Sequence, residues 1–188
     1  YRNVQTYRGT YKEYRLEVKR IEVTDPRTDL KLVSHKLFIK GSLHKSRHSG
    51  VNFSKFTYSE MMEEIENLCE VLKLNPVHLK IDNIEIGLNI DVPFKPYPFL
   101  EKSLLMFTNR PFTSNEPGLD GKILGFSCSK TEYKVKIYDK GLQYGLHSNI
   151  LRFELKYHKM KALKKFGIKT LSDLLDMDKM KGLFVLLE

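Results

Sequence analysis

At 188 residues, with 41% apolar and 11% aromatic side chains, the chain is long and hydrophobic enough to bury a core as one domain, which excludes an intrinsically disordered polypeptide. Two cysteines, Cys69 and Cys128, exclude a secreted disulfide scaffold and fit a reducing, cytoplasmic interior. Thirty-two Lys and Arg against twenty-three Asp and Glu give a net charge of +9, which attracts polyanions without saying which.

No run of about 18 uncharged apolar residues occurs, and the chain opens on the polar stretch YRNVQTYRGTYKEYR, so neither a membrane span nor a signal peptide is expected. From Tyr14 to Val23 the alternation of apolar residues reads as a strand, and Thr24-Asp25-Pro26 supplies turn chemistry. Leu30 to Ser42 reads as a second strand, paired with the first as an antiparallel hairpin. The segment GSLHKSRHSGVNFSKF then reads as a loop. His44 and His48 stand four apart, as on one side of a helix, but Gly41, Ser46, Ser49 and Gly50 argue against helix.

Thr57-Tyr58-Ser59-Glu60 is a capping box, so a helix should begin there. Met61, Ile65, Leu68, Cys69 and Leu72 recur at helical spacing as a buried stripe with the glutamates opposite, and Pro76 marks the end. Between Thr57 and Lys73 five Glu and one Lys concentrate acid on this helix, leaving +13 on the rest of the chain. In IEIGLNI the residues Ile84, Ile86, Leu88 and Ile90 alternate with Glu85, Gly87 and Asn89, as in a strand with one aliphatic and one polar face.

Five prolines follow between Pro93 and Pro117, with FLEKSLLMF as a short helical or irregular insert and SNEPGLDGK as a flexible loop. Ile123 to Ser129, Tyr133 to Asp139 and Ile150 to Tyr157 read as strands, and Lys159 to Phe166 and Thr170 to Asp176 as helical material. One domain is expected over 1–176. Residues 177–188 are apolar enough to pack on the core or to begin a further helix or region. The order predicts an α+β fold, an antiparallel sheet with helices on one face.

Three stretches carry residues suited to chemistry. On IEIGLNI, Glu85 and Asn89 share a face about 13 Å apart, and Gly87 between them leaves room for a ligand, metal or nucleotide to approach the backbone. Asp82 and Asn83 add oxygens of the kind hard divalent cations prefer. On KVKIYDKGLQ, Lys134, Lys136, Tyr138 and Lys140 share one face; ammonium groups there would stabilise a phenolate and a bound phosphate alike. On LRFELKY, Arg152, Glu154 and Lys156 face one way, where Glu154 could orient Arg152, a lysine or a metal-bound water. Each stretch also reads as an ordinary amphipathic strand. His44 and His48, with Lys45 and Arg47, could ligate metal or grip phosphate. No zinc-type cluster, P-loop, GxGxxG or GxSxG occurs, which argues against nucleoside triphosphate hydrolysis, hydride transfer and serine hydrolase chemistry.

In chain order, IEIGLNID, VKIYDKG and LRFELKY resemble the rolling-circle replication initiators of small phages and plasmids, HUH-like tyrosine-dependent nickases. That group shows an acidic strand R-x-D-x-x-x-D, a Y-D-K-G segment and an R-x-E strand. Here Glu85 and Asn89 occupy the two carboxylate-like places, residues 138–141 match Y-D-K-G, and Arg152 with Glu154 matches the last motif. The resemblance runs roughly from Leu37 to Leu174, including KALKKFGIKTLSDL.

It implies an HUH-endonuclease-like α+β domain and a nickase dependent on Mg2+ or Mn2+ that cuts one strand at a replication origin, forms a 5′-phosphotyrosyl link and rejoins the ends. Carried over residue by residue, Tyr138 is the nucleophile and Lys140 its phosphate partner, with Tyr144 and Tyr157 as other tyrosines able to serve. Glu85, Asn89 and Glu154 are the metal-site candidates, and His44, Lys45, Arg47, Lys134, Lys136 and Arg152 the DNA-binding ones. The implied partners are DNA, as a single strand or an origin hairpin, a host helicase and a second copy of the chain, in the cytoplasm of a bacterial host and without a membrane. The alternatives are a noncatalytic single-stranded DNA- or RNA-binding module and a structural or assembly protein.

Overall fold

The computed structural model describes residues 1–103, 106–117 and 123–184. They fall into two compact units, Tyr1–Asn52 with Phe56–Glu64, and Phe53–Lys55 with the chain from Ile65 onward, a finer division than one domain over 1–176.

The first unit is built on an antiparallel meander of β1 (Arg2–Tyr11), β2 (Tyr14–Thr24) and β3 (Lys31–Lys40). The β2–β3 hairpin is the expected one, closed by Asp25, whose carboxylate accepts from the Arg27 amide at 2.8 Å. Strand β1 was not expected; it pairs with β2 over its whole length although its residues lack apolar alternation. A short helix α1 (Leu43–Arg47) replaces the expected loop, because Ser42 caps it, accepting from the Lys45 amide at 3.2 Å.

Helix α2 (Tyr58–Val71) begins at the predicted box: the Glu60 amide donates to Thr57 Oγ1 at 3.3 Å and the Thr57 amide to Glu60 Oε2 at 2.7 Å. Ile65, Leu68 and Cys69 are buried as the stripe requires. One glutamate departs from the solvent face assigned to it. Glu64 is 1% exposed, and Ser46 Oγ at 2.5 Å, Tyr14 OH at 3.3 Å and Lys12 Nζ at 3.4 Å satisfy its carboxylate.

The second unit carries β4 (Ile84–Asp91), α3 (Pro96–Ser103), a small hairpin of β5 (Met106–Phe107) and β6 (Arg110–Pro111), then β7 (Thr113–Pro117), β8 (Ile123–Ser129), β9 (Tyr133–Asp139), α4 (Lys140–Tyr144) and β10 (Ile150–Tyr157). Its sheet is antiparallel in the order β4-β10-β9-β8-β7. The expected flexible loop SNEPGLDGK is in part strand β7, which pairs with β8 through shifted register; residues 118–122 lie outside the described residues, as do 104–105 of FLEKSLLMF. The material after β10 is 3-10 helix at Met160–Phe166 and Leu171–Leu175, followed by α5 (Met177–Phe184), which buries Met180 and Leu183.

Alternation gives this sheet an apolar and a polar face. Val135, Ile137 and Leu151 pack with Leu100 of α3, flanked by Phe126, Phe153 and Leu155. The fold class is thus α+β with open antiparallel sheets. No helix among the described residues is long and apolar enough to cross a membrane.

Candidate active site

Residues directly opposite in antiparallel strands share a face. Register therefore lines up three polar rows across β4, β10, β9 and β8: Asn89, Arg152, Tyr138 and Gly125; Gly87, Glu154, Lys136 and Ser127; Glu85, Lys156, Lys134 and Ser129. The three stretches separated in sequence meet on one face. Their side chains interlock.

Glu154, 3% exposed, is the centre. Its Oε1 accepts from Tyr138 OH at 2.8 Å and from Arg152 Nε at 2.5 Å, and its Oε2 from Lys136 Nζ at 3.2 Å. Arg152 Nη1 reaches on to Asn89 Oδ1 at 2.8 Å, and Asn89 Nδ2 donates to the Phe53 carbonyl at 3.1 Å. The space beside Gly87 is consequently not open to a ligand as expected. A Cβ there would stand 2.6 Å from Arg152 Nη2, so the missing side chain makes room for the guanidinium.

Strand β9 ends at Asp139, whose carboxylate caps α4 by accepting from the Leu142 amide at 2.8 Å. Lys140 is therefore the first residue of α4 and not a continuation of the strand face, yet its side chain returns to the site. Its Nζ, 1% exposed as a residue, donates to Tyr138 OH at 3.3 Å and to Gln143 Oε1 at 2.7 Å, over the Tyr138 and Tyr144 rings at 5.3 and 4.9 Å. Gln143 was missed from sequence; its signal is its place three residues after Lys140 in a capped turn. Of the other tyrosines, Tyr144 packs on Lys140 and Phe53, while Tyr157 pairs with Tyr133 in a row of the opposite, apolar face.

The electrostatics are those of a dry ion-pair cluster. Burial, and then the Glu154 charge, push the Tyr138 phenol well above its ordinary range, with Arg152 pulling the other way. The lysines do not hold it as phenolate, contrary to expectation, because Tyr138 is 5% exposed and donates its proton to Glu154. Burial alone would raise the Glu154 carboxyl, but Arg152 and Lys136 outweigh it and hold it down.

A divalent cation needs carboxylate oxygens turned toward one empty point. Both Glu154 oxygens are engaged, Glu85 Oε2 faces Lys136 at 3.4 Å and Lys156 at 3.9 Å, and the Asn89 oxygen accepts from Arg152. The chain's own cations engage these oxygens, and no cluster of three metal-ligating side chains occurs among the described residues. Glu85, Asn89 and Glu154 do not fit a divalent ion in this arrangement.

The DNA-binding candidates divide. Lys134, Lys136 and Arg152 belong to the polar face just described, the last two spending charge on Glu154. His44, Lys45 and Arg47 belong to α1 of the first unit. There His44 stacks on Phe56 with centroids 4.6 Å apart, His48 stands edge-on to His44, and Arg47 pairs with Glu63 at 2.6 Å. No family model, curated protein or solved structure matches this chain.

Proposed function

We propose that the chain is a DNA replication initiator of the rolling-circle type, a strand transferase that nicks and rejoins one DNA strand through Tyr138. One observation carries the reading: the Tyr138 oxygen lies between the Glu154 carboxylate at 2.8 Å and the Lys140 ammonium at 3.3 Å, a nucleophile with a base and a cation in reach. Arg152 orients the base, the third member such a constellation needs. As the phenolic oxygen bonds to phosphorus, Glu154 takes its proton and Lys140 faces the growing negative charge. The bond from phosphorus to the 3′ oxygen breaks, and the proton passes to that oxygen. A 5′-phosphotyrosyl link and a free 3′ hydroxyl result; rejoining is the reverse. The substrate is single-stranded DNA or an origin hairpin, met in the cytoplasm of a bacterial host. No step runs through Mg2+ or Mn2+, since the ligand set does not fit one.

A second reading, a noncatalytic single-stranded DNA- or RNA-binding module, is favoured by the burial of Tyr138, 5% exposed, which holds its oxygen away from an approaching phosphate. Denaturing gels with a labelled single-stranded oligonucleotide, run with Mn2+ and with chelator, separate the two. The initiator gives a covalent band that Tyr138→Phe abolishes and that Tyr144→Phe and Tyr157→Phe retain. Absence of any band, with salt-sensitive binding that Tyr138→Phe leaves intact, selects the binding module.

A further inference from the structure

The register of the first unit's meander sorts its charges onto opposite faces. One face carries the rows Thr10, Arg15 and Lys40; Arg8, Glu17 and Phe38; Thr6, Lys19 and Lys36; Val4, Ile21 and Ser34; Arg2, Val23 and Leu32. The other carries Leu16 with Ile39, Tyr7 with Val18 and Leu37, Arg20 with His35, and Glu22 with Val33. The first face thus holds six cations and one carboxylate. On the second, Glu22 answers Arg20 at 2.9 Å and Lys31 at 3.9 Å. Tyr14 lies on that second face and donates to Glu64 of α2 at 3.3 Å, so the end of this face at Tyr14 is the one that meets the helix. The cationic face is turned the other way.

Its charge is in surplus. Glu17 pairs with Arg8 at 3.1 Å and Lys19 at 3.2 Å, while Arg15, Lys36 and Lys40 meet no acidic group among the described residues. These five cations fall in three adjacent rows, about 14 Å of strand. Duplex DNA presents a negative charge roughly every 1.7 Å of its axis, and binding there is driven by Lys and Arg that release its counterions. Single strands need, besides a cationic groove, a series of exposed rings on which successive bases stack. The one ring on this face among the described residues is Phe38, and Lys19 Nζ sits over it, 5.1 Å from its centroid. The face offers five cations for phosphates against a single exposed ring, Phe38, which Lys19 already caps.

We propose that this face docks the phosphate backbone of duplex DNA through Arg8, Arg15, Lys19, Lys36 and Lys40. That the polyanion is DNA rests on the proposed function; that it is duplex rests on the face itself. The test is fluorescence anisotropy with a random-sequence duplex and a single strand, over a range of salt. Combining Arg15→Gln, Lys36→Gln and Lys40→Gln weakens duplex binding by about tenfold or more and makes the slope of log K against log salt shallower by about 2 to 3, since each phosphate contact contributes roughly 0.9. Single-strand affinity and thermal midpoint stay unchanged, and Arg20→Gln with Lys31→Gln on the opposite face has no effect.

On the wild-type chain, duplex protects Lys36 and Lys40 from acetylation and leaves Lys31 reactive, which needs no variant to fold. Unchanged duplex affinity in the triple variant, equal loss for single strand, protection of Lys31 in place of Lys36 and Lys40, or a triple variant that loses only anionic vesicles overturns the proposal. Tyr138→Phe keeps duplex binding whichever way the adduct assay comes out. A chain without adducts whose triple variant loses duplex sinks the nicking reading and keeps the docking face; adducts with unchanged duplex affinity do the reverse.

Discussion

Glu154 is a carboxylate withdrawn from water and answered by Arg152 and Lys136, and its ionisation is tied to folding. With its carboxyl held down to about 2 in the folded chain, it stabilises the fold fully above the ordinary carboxylate range. That stability is lost as pH falls from there through the folded value. Urea unfolding from pH 7 down to pH 3 should show Glu154→Gln less stable at neutral pH, because the buried Arg152 and the half-buried Lys136 lose their shared partner, yet flatter in acid than wild type. Parallel acid slopes for the two proteins would exclude Glu154 as the titrating group. Which face each of these residues takes was legible in the sequence, since strand alternation alone puts Glu85, Asn89, Tyr138, Arg152 and Glu154 on polar faces. Who touches whom was not: the partners come from register between strands distant in sequence, as Arg152 opposite Tyr138 and, 63 positions away, Asn89 shows. Gly87 looked open for that reason.

Strand β4 pairs with β10 alone and so forms one edge of the second sheet. Beyond the backbone ladder, its side-chain ties are Glu85, which faces Lys136 and Lys156, and Arg152, which crosses over Gly87 to Asn89 and on through Asn89 to Phe53. Gly87→Ala puts a methyl group where the guanidinium lies, and Arg152, bonded on both sides and 7% exposed, has no vacant direction. The variant should lose about 1 to 3 kcal/mol in chemical denaturation, as overpacked sites do, with the largest amide shift changes at Asn89 and Phe53. A neutral substitution with unmoved resonances would mean that the tie does not hold the edge. The elements legible in the sequence were those whose local chemistry agrees with their packing: α2 has both a box and a stripe, and β8, β9 and β10 have clean alternation. Those missed have a local signal at odds with their partner. RNVQTYRGTY has no apolar period, because β1 is exposed along nearly its whole length and is held by backbone pairing to β2. In α1 the Gly and Ser that punctuate loops conceal Ser42 as a cap.

No linker announces two units, and the boundary falls inside α2 after Glu64, where helical periodicity continues without a break. The units differ in how much of their sheet is dry. In the first, β1 and β3 expose most of their residues, and burial is concentrated at Tyr14 and Ile21 of β2. In the second, β9 and β10 bury Val135, Ile137 and Leu151 on one face and Tyr138, Arg152 and Glu154 on the other. Opening free energies follow buried apolar area and shielded backbone bonds, so the two sheets should not open together. Native-state hydrogen exchange in low denaturant is expected to find β1 and β3 amides exchanging through openings roughly 2 kcal/mol or more easier than those of β9 and β10. A duplex bound to the cationic face would narrow that gap, since a ligand that binds only the closed meander stabilises it by mass action. Exchange of all ten strands through one common opening would show instead that the exposed meander draws its stability from the same cooperative unit as the buried sheet.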